Sequence, residues 1–152
     1  MSKFDKMMKI ASALQNPALQ MEKEAADEKA LAVKMLQCIP ANLKLIHVQT
    51  KSYAKHMALD DAFDDLNEAL DAFYECVQGY YVLKTGSRLP LSPKRFTFEE
   101  PDDSDVISSV KKMKEVFTTA ADAVTDGDSA LESVRDNVVN AFQQLAYRLT
   151  LK

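Results

Sequence analysis

Apolar side chains recur along this chain at three- and four-residue intervals, the spacing that keeps one face of an α-helix dry. Between Lys3 and Gln15 they are Phe4, Met7, Met8, Ile10, Ala11 and Leu14, with Ser2 as N-cap and Asn16-Pro17 as a stop. That predicts a short extra N-terminal helix, marginal alone, which needs a surface to dock on. From about Met21 to Thr50 the stripe is Leu31, Met35, Cys38, Ile39, Leu43 and Ile46. Pro40 interrupts it and is expected to kink or split a helix otherwise roughly 40 Å long. From about Ser52 to Val82, Leu59, Phe63, Leu66, Leu70, Phe73 and Val77 alternate by four and three, with Ser52 as the cap.

The pattern then breaks. Leu83 to Pro101 carries Gly86, Pro90, Pro93 and Pro101, and is basic first (Lys84, Arg88, Lys94, Arg95) and acidic after (Glu99, Glu100, Asp102, Asp103). So long an irregular stretch is uncommon inside a domain and often functional. Periodicity resumes after a cap at Ser104 or Asp105, through Val106, Val110, Met113, Phe117, Ala120 and Val124. Thr125-Asp126-Gly127-Asp128 is a tight turn, with Asp128 or Ser129 as the next cap, and Leu131, Val134, Val138, Ala141, Leu145 and Leu149 complete a last helix. The short turn makes the last two helices an antiparallel hairpin, and the middle loop is long enough to cross the bundle. The expectation is an all-α antiparallel four-helix bundle with a long Pro-containing loop between its second and third helices. The heptad-like spacing also suits a coiled-coil scaffold.

Composition narrows the choices. With 152 residues the chain is read as one domain, 1–152. Only 3 Gly, 5 Pro and no Trp argue against the many tight turns of a sandwich or barrel. A net charge of −4, with lysines interleaved among acids, makes nucleic acid an unexpected partner. No apolar run approaches the roughly 18 residues of a membrane span, so no membrane partner is expected. The N-terminus lacks a signal-peptide pattern, and Cys38 and Cys76 are isolated, which points to reduced thiols in the cytoplasm. The three glycines are scattered, so no phosphate-binding loop is present.

One set of polar residues stands out on the third segment. With His56 at 0° on a helical wheel, Asp60 falls near 40°, Asp71 near 60° and Glu75 near 100°. They share an arc beside the apolar stripe. Eleven residues separate Asp60 from Asp71, about 16 Å of helical rise, so the two pairs cannot meet within one helix. A second, antiparallel copy would place His56 and Asp60 of one chain opposite Asp71 and Glu75 of the other, giving two equivalent sites. Imidazole with carboxylates suits iron, manganese or zinc. Both histidines of the chain fall in this region, and His47 ends the preceding segment within reach of it. The bland alternative is a solvated acidic face with hydrogen-bonded histidines, since Asp61, Asp64, Asp65 and Glu68 lie on the same helix.

The succession His47-Val-Gln-Thr-Lys-Ser-Tyr-Ala-Lys-His56, then Asp60, Asp71 and Glu75, resembles the ferroxidase signature of mini-ferritins (Dps-like proteins). It is still more similar to a small ferritin-like family of unknown function found in tailed-phage genomes. The resemblance covers about Leu31 to Tyr81. It implies a ferritin-like bundle, iron as the metal (zinc or manganese as alternatives), and His47, His56, Asp60, Asp71 and Glu75 as ligands between subunits. It implies a homodimer or higher oligomer, a possible ferroxidase activity, and a place in the host cytoplasm or the virion. Val48 stands where those families carry Trp, and the interval from His47 to His56 is shorter than in typical mini-ferritins. The alternative expectation is a bundle with a vestigial metal site that serves as a phage accessory, virion or host-interaction protein, its partner held through the 86–105 loop.

Overall fold

A computed structural model describes Lys29, residues 38–89 and residues 103–151. Among the described residues all regular structure is helical: α1 (Cys38–Gln49), α2 (Tyr53–Thr85), a 3₁₀ turn (Asp103–Asp105), α3 (Val106–Thr125) and α4 (Ser129–Arg148). The expected N-terminal helix, most of the segment before Cys38 and the proline-rich part of the middle loop lie outside the described residues. Pro40 lies in the first described turn of α1, and the stretch before Cys38, on which the expected kink or split also bears, lies outside the described residues.

The helix ends follow from local chemistry. The Ser52 hydroxyl accepts the Lys55 N–H at 3.4 Å and starts α2. Gly86 ends it at φ 78°, donating its N–H to the Val82 carbonyl; a left-handed residue at this position favours glycine. Asp105 caps α3 by accepting from the Ser108 N–H at 3.1 Å. Asp128 caps α4, accepting the N–H groups of Ala130 and Leu131 at 3.0 Å each. Between α3 and α4, Asp126 and Gly127 both take positive φ, which reverses the chain in a few residues.

The helices form a bundle in which α2 packs against α1 and α4, and α4 packs against α3. Their apolar stripes meet in one core. Leu59, Leu66, Leu70, Phe73 and Val77 of α2 are buried, together with Ile39, Leu43 and Ile46 of α1. So are Val110, Met113, Phe117 and Val124 of α3, and Leu131, Val138, Phe142 and Leu145 of α4. Phe117 is central: its ring lies 5.4 Å from Phe73 and 6.3 Å from Phe142. Phe63, Val134 and Ala141, expected inside, are only partly buried at the core's margin.

Polar contacts fix which parts of the helices lie side by side. Lys44 reaches Asp60, and His47 meets His56. Asp122 of α3 pairs with Arg135 of α4 at 2.9 Å. Asp65, early in α2, accepts from Arg148 at the end of α4 at 3.1 Å. Late in α2, Lys84 and Tyr80 both donate to Asp126, just before α4. At the other end Asp103 accepts the Lys51 N–H, and its carbonyl accepts from the Lys55 ammonium.

Phe117→Ala should lower stability by about 3–5 kcal/mol, because it opens a cavity between three helices. Asp128→Ala should cost about 1 kcal/mol through loss of the α4 cap. Urea unfolding followed by circular dichroism checks both; a smaller loss for Phe117→Ala than for Asp128→Ala would contradict this core.

Candidate metal centre at the α1–α2 corner

The three residues between α1 and α2 are too few to let the helices separate, so the last turn of α1 faces the first turns of α2. His47 thus meets His56, with ring centroids 4.0 Å apart and planes tilted by 43°. His56 Nδ1 lies 3.2 Å from the His47 carbonyl. A carbonyl only accepts, so Nδ1 is the donor in this contact, which in the neutral ring leaves the lone pair on Nε2. A backbone carbonyl holding one ring nitrogen is the usual support behind a metal-binding histidine.

His47 is the unusual member. It is only 6% exposed. Burial pushes its pKa down, His56 and Lys44 push the same way, and Asp60 opposes them. The ring is therefore neutral at pH 7. Its Nδ1 stands 3.5 Å from Asp60 Oδ1, yet makes no hydrogen bond. With the imidazole neutral this contact is not a salt bridge, and a buried nitrogen without a partner is costly. Asp60 is half exposed and also has the Lys44 ammonium 3.7 Å from the same oxygen. Lys44 in turn lies over the Phe63 ring at 5.1 Å.

Asp71 and Glu75 sit farther along α2, both exposed. Asp71 borders a shallow depression with Asp64, Asn67, Glu68 and Tyr74. Tyr74 is half-buried beside Cys38, and its hydroxyl has no hydrogen-bond partner. Burial first, then Cys38 and Asp71, raise its pKa well above the ordinary value.

One chain thus brings His56 and Asp60 to His47 and leaves Asp71 about 16 Å and Glu75 about 22 Å along the helix from Asp60. Among the described residues no three His, Cys, Asp or Glu side chains converge closely enough to hold a metal ion. The residue that sequence reasoning missed is Lys44. Its signal was present, since it precedes His47 by one turn on the same helix, but its reach to Asp60 depends on how α1 packs on α2.

A family of unknown function (DUF5856) matches residues 47–149, more than half of the chain. The chain belongs to this family. The DUF5856 match begins at His47 and takes in all five candidate ligands and every helix from α2 to α4. The chain is also similar to the "Uncharacterized 14.6 kDa protein in mobD-ri intergenic region" of Enterobacteria phage T4. The two are 27% identical over 119 residues, covering 78% of this chain and 84% of that protein. No solved structure matches this DUF5856 protein. Among the described residues no helix is long and apolar enough to cross a membrane.

The depressed pKa of His47 makes a prediction. Below its ordinary value near 6.5 the unfolded chain takes up a proton that the folded chain refuses. This contribution to stability is therefore full above about pH 6.5 and lost as pH falls toward the lower folded value. Urea midpoints should drop between pH 7.5 and 5.5, and should drop less in His47→Gln. An equal drop in both proteins would show that His47 takes up its proton freely.

Proposed function

We propose that this DUF5856 protein is a ferritin-like, antiparallel four-helix bundle that binds iron between two copies, with zinc or manganese as alternative metals. The topology is supported by which residues meet. Lys44 pairs with Asp60 and His47 with His56, as expected for antiparallel α1 and α2. Asp122 with Arg135, and Phe117 with Phe142, support the same for α3 and α4. Asp65 with Arg148, and Tyr80 with Asp126, support α2 antiparallel to α4. Phe73 against Phe117 then suits parallel α2 and α3, with the middle loop crossing the bundle.

The metal reading rests on one observation: the buried, neutral and unpartnered Nδ1 of His47 beside the Asp60 carboxylate. A cation between the two would satisfy both. The residues fit iron in their donor types, imidazole nitrogen and carboxylate oxygen. His47, His56 and Asp60 would hold it from one copy, and Asp71 and Glu75 from the other. Iron would supply one-electron chemistry when bound. The chain's own part is to fix His56 by the His47 carbonyl and to keep His47 neutral by burial.

Lys44 favours a second reading, because its ammonium already lies beside Asp60. In that case the metal site is vestigial, and the protein is a phage accessory, virion or host-interaction protein working from the virion or the host cytoplasm. Its partner would then be held through the 86–105 loop.

Calorimetric titration of metal-free protein with Mn(II), Zn(II) and anaerobic Fe(II) distinguishes the two. The metal reading expects one ion per chain, with affinity reduced at least tenfold in Asp60→Asn and also in Glu75→Gln. Unchanged affinity in both variants, or no binding in the wild type, would leave the accessory reading.

A further inference from the structure

Asp64, Glu68, Asp71, Glu75, Gln78 and Val82 follow one another at alternating four- and three-residue intervals, so they share one face of α2, turned away from its buried stripe. The first four are acids, and α2 holds seven acids and no Lys or Arg between His56 and Leu83. Lys44 and Arg148 pair with Asp60 and Asp65; among the described residues no cation pairs with the four acids of the stripe. Its far end is apolar, with Val82 41% and Leu83 91% exposed. A hollow of about 600 Å³ lies there between Tyr74, Gln78, Gly79 and Leu83. Its polar lining is incomplete. The Gln78 amide donates to the Leu89 carbonyl at 3.2 Å, while Gln78 Oε1 and the Tyr74 hydroxyl are buried without a partner.

We infer that the occupant of this stripe is the N-terminal segment of the same chain, residues 3–15, docked as an amphipathic helix. That segment lies outside the described residues, and its sequence supplies the match. Its first half is basic, with Lys3, Lys6 and Lys9 against the single acid Asp5, and its second half, Ile10 to Gln15, carries no charge. The stripe is divided in the same way, into acids and an apolar end. The direction of the chain agrees as well. Lys29 stands over the Tyr81 ring at 5.9 Å, so the chain joins the bundle beside the apolar end. Followed back from Lys29, the uncharged half comes first and meets Val82 and Leu83, while the lysines fall toward Glu75, Asp71 and Glu68. The thirteen residues 16–28 can span roughly 40 Å, ample for this return. A helix over residues 3–15 is about 20 Å long, within the roughly 27 Å from Asp64 to Val82. Docking gives a helix too short to stand alone an apolar contact and opposite charges to rest on. The face includes Asp71 and Glu75, so the segment and a second copy compete for it. The docking itself does not rest on the metal reading.

Photocrosslinking of the full chain tests this, with photoreactive benzoylphenylalanine in place of the exposed Leu83. EDTA throughout keeps the result independent of metal binding. The expected product has the mass of one chain, and peptide mapping joins position 83 to a site within residues 3–15. Lys6→Glu together with Lys9→Glu should lower the yield at least fivefold, and adding Asp71→Lys with Glu75→Lys to that variant should restore it. A product with the mass of two chains puts a second copy on the face and overturns docking within the chain. A crosslink to any other segment, or none at all, overturns the occupant. A yield indifferent to the lysine reversals, or lost with them and not restored by the second pair, overturns the charge match.

Discussion

The constraint on which this structure depends is that α2, 33 residues long, must bury a single apolar stripe against helices on two sides. Leu59, Leu66, Leu70, Phe73 and Val77 make this inner face apolar, and Tyr81 at its end buries a hydroxyl there. The charged side chains are thereby driven to the flanks and the outer face. On the flank toward α1, His56 and Asp60 meet Lys44 and His47. On the flank toward α4, Asp65 meets Arg148. The outer face keeps its acids in water. The candidate chemistry is thus a by-product of core packing, since the same helical phase that buries Leu59 fixes the direction of Asp60.

Burial sharpens that chemistry at one point. A histidine on a helix surface would titrate freely and hydrogen-bond to water. Placed under the α1–α2 corner, His47 is held neutral, and its Nδ1 meets a carboxylate oxygen at a distance that makes no hydrogen bond. This is the local misfit on which the functional proposal draws. Native structures tolerate few buried groups of this kind, and each calls for an explanation.

How much of this was legible in the chain differs by element. The caps at Ser52, Asp105 and Asp128 were readable because each acts on N–H groups two or three residues away. The stripes of α2 and α3 were readable because burial and periodicity are the same fact. The end of α2 was not: the apolar stripe ends near Val82, whereas the helix runs to Thr85 and stops where Gly86 turns left-handed. The contacts Lys44–Asp60 and Arg148–Asp65 were hidden, because each depends on the relative position of two helices. The wheel set His56 and Asp60 on one arc, but the depth of His47, which touches both, belongs to packing that no single-helix argument contains.

The contact at the α3–α4 turn has a mechanical consequence. Asp126 holds a positive φ that a residue with a Cβ adopts reluctantly, and it does so while bound by Lys84 and Tyr80 of α2. The turn and the end of α2 therefore support each other through exposed charges, which dissolved ions screen. At the opposite end the tie between Asp103 and the backbone of Lys51 involves an uncharged donor. Rising ionic strength should thus weaken the hold of α2 on the α3–α4 turn, as it weakens the exposed Lys44–Asp60 pair at the histidine corner.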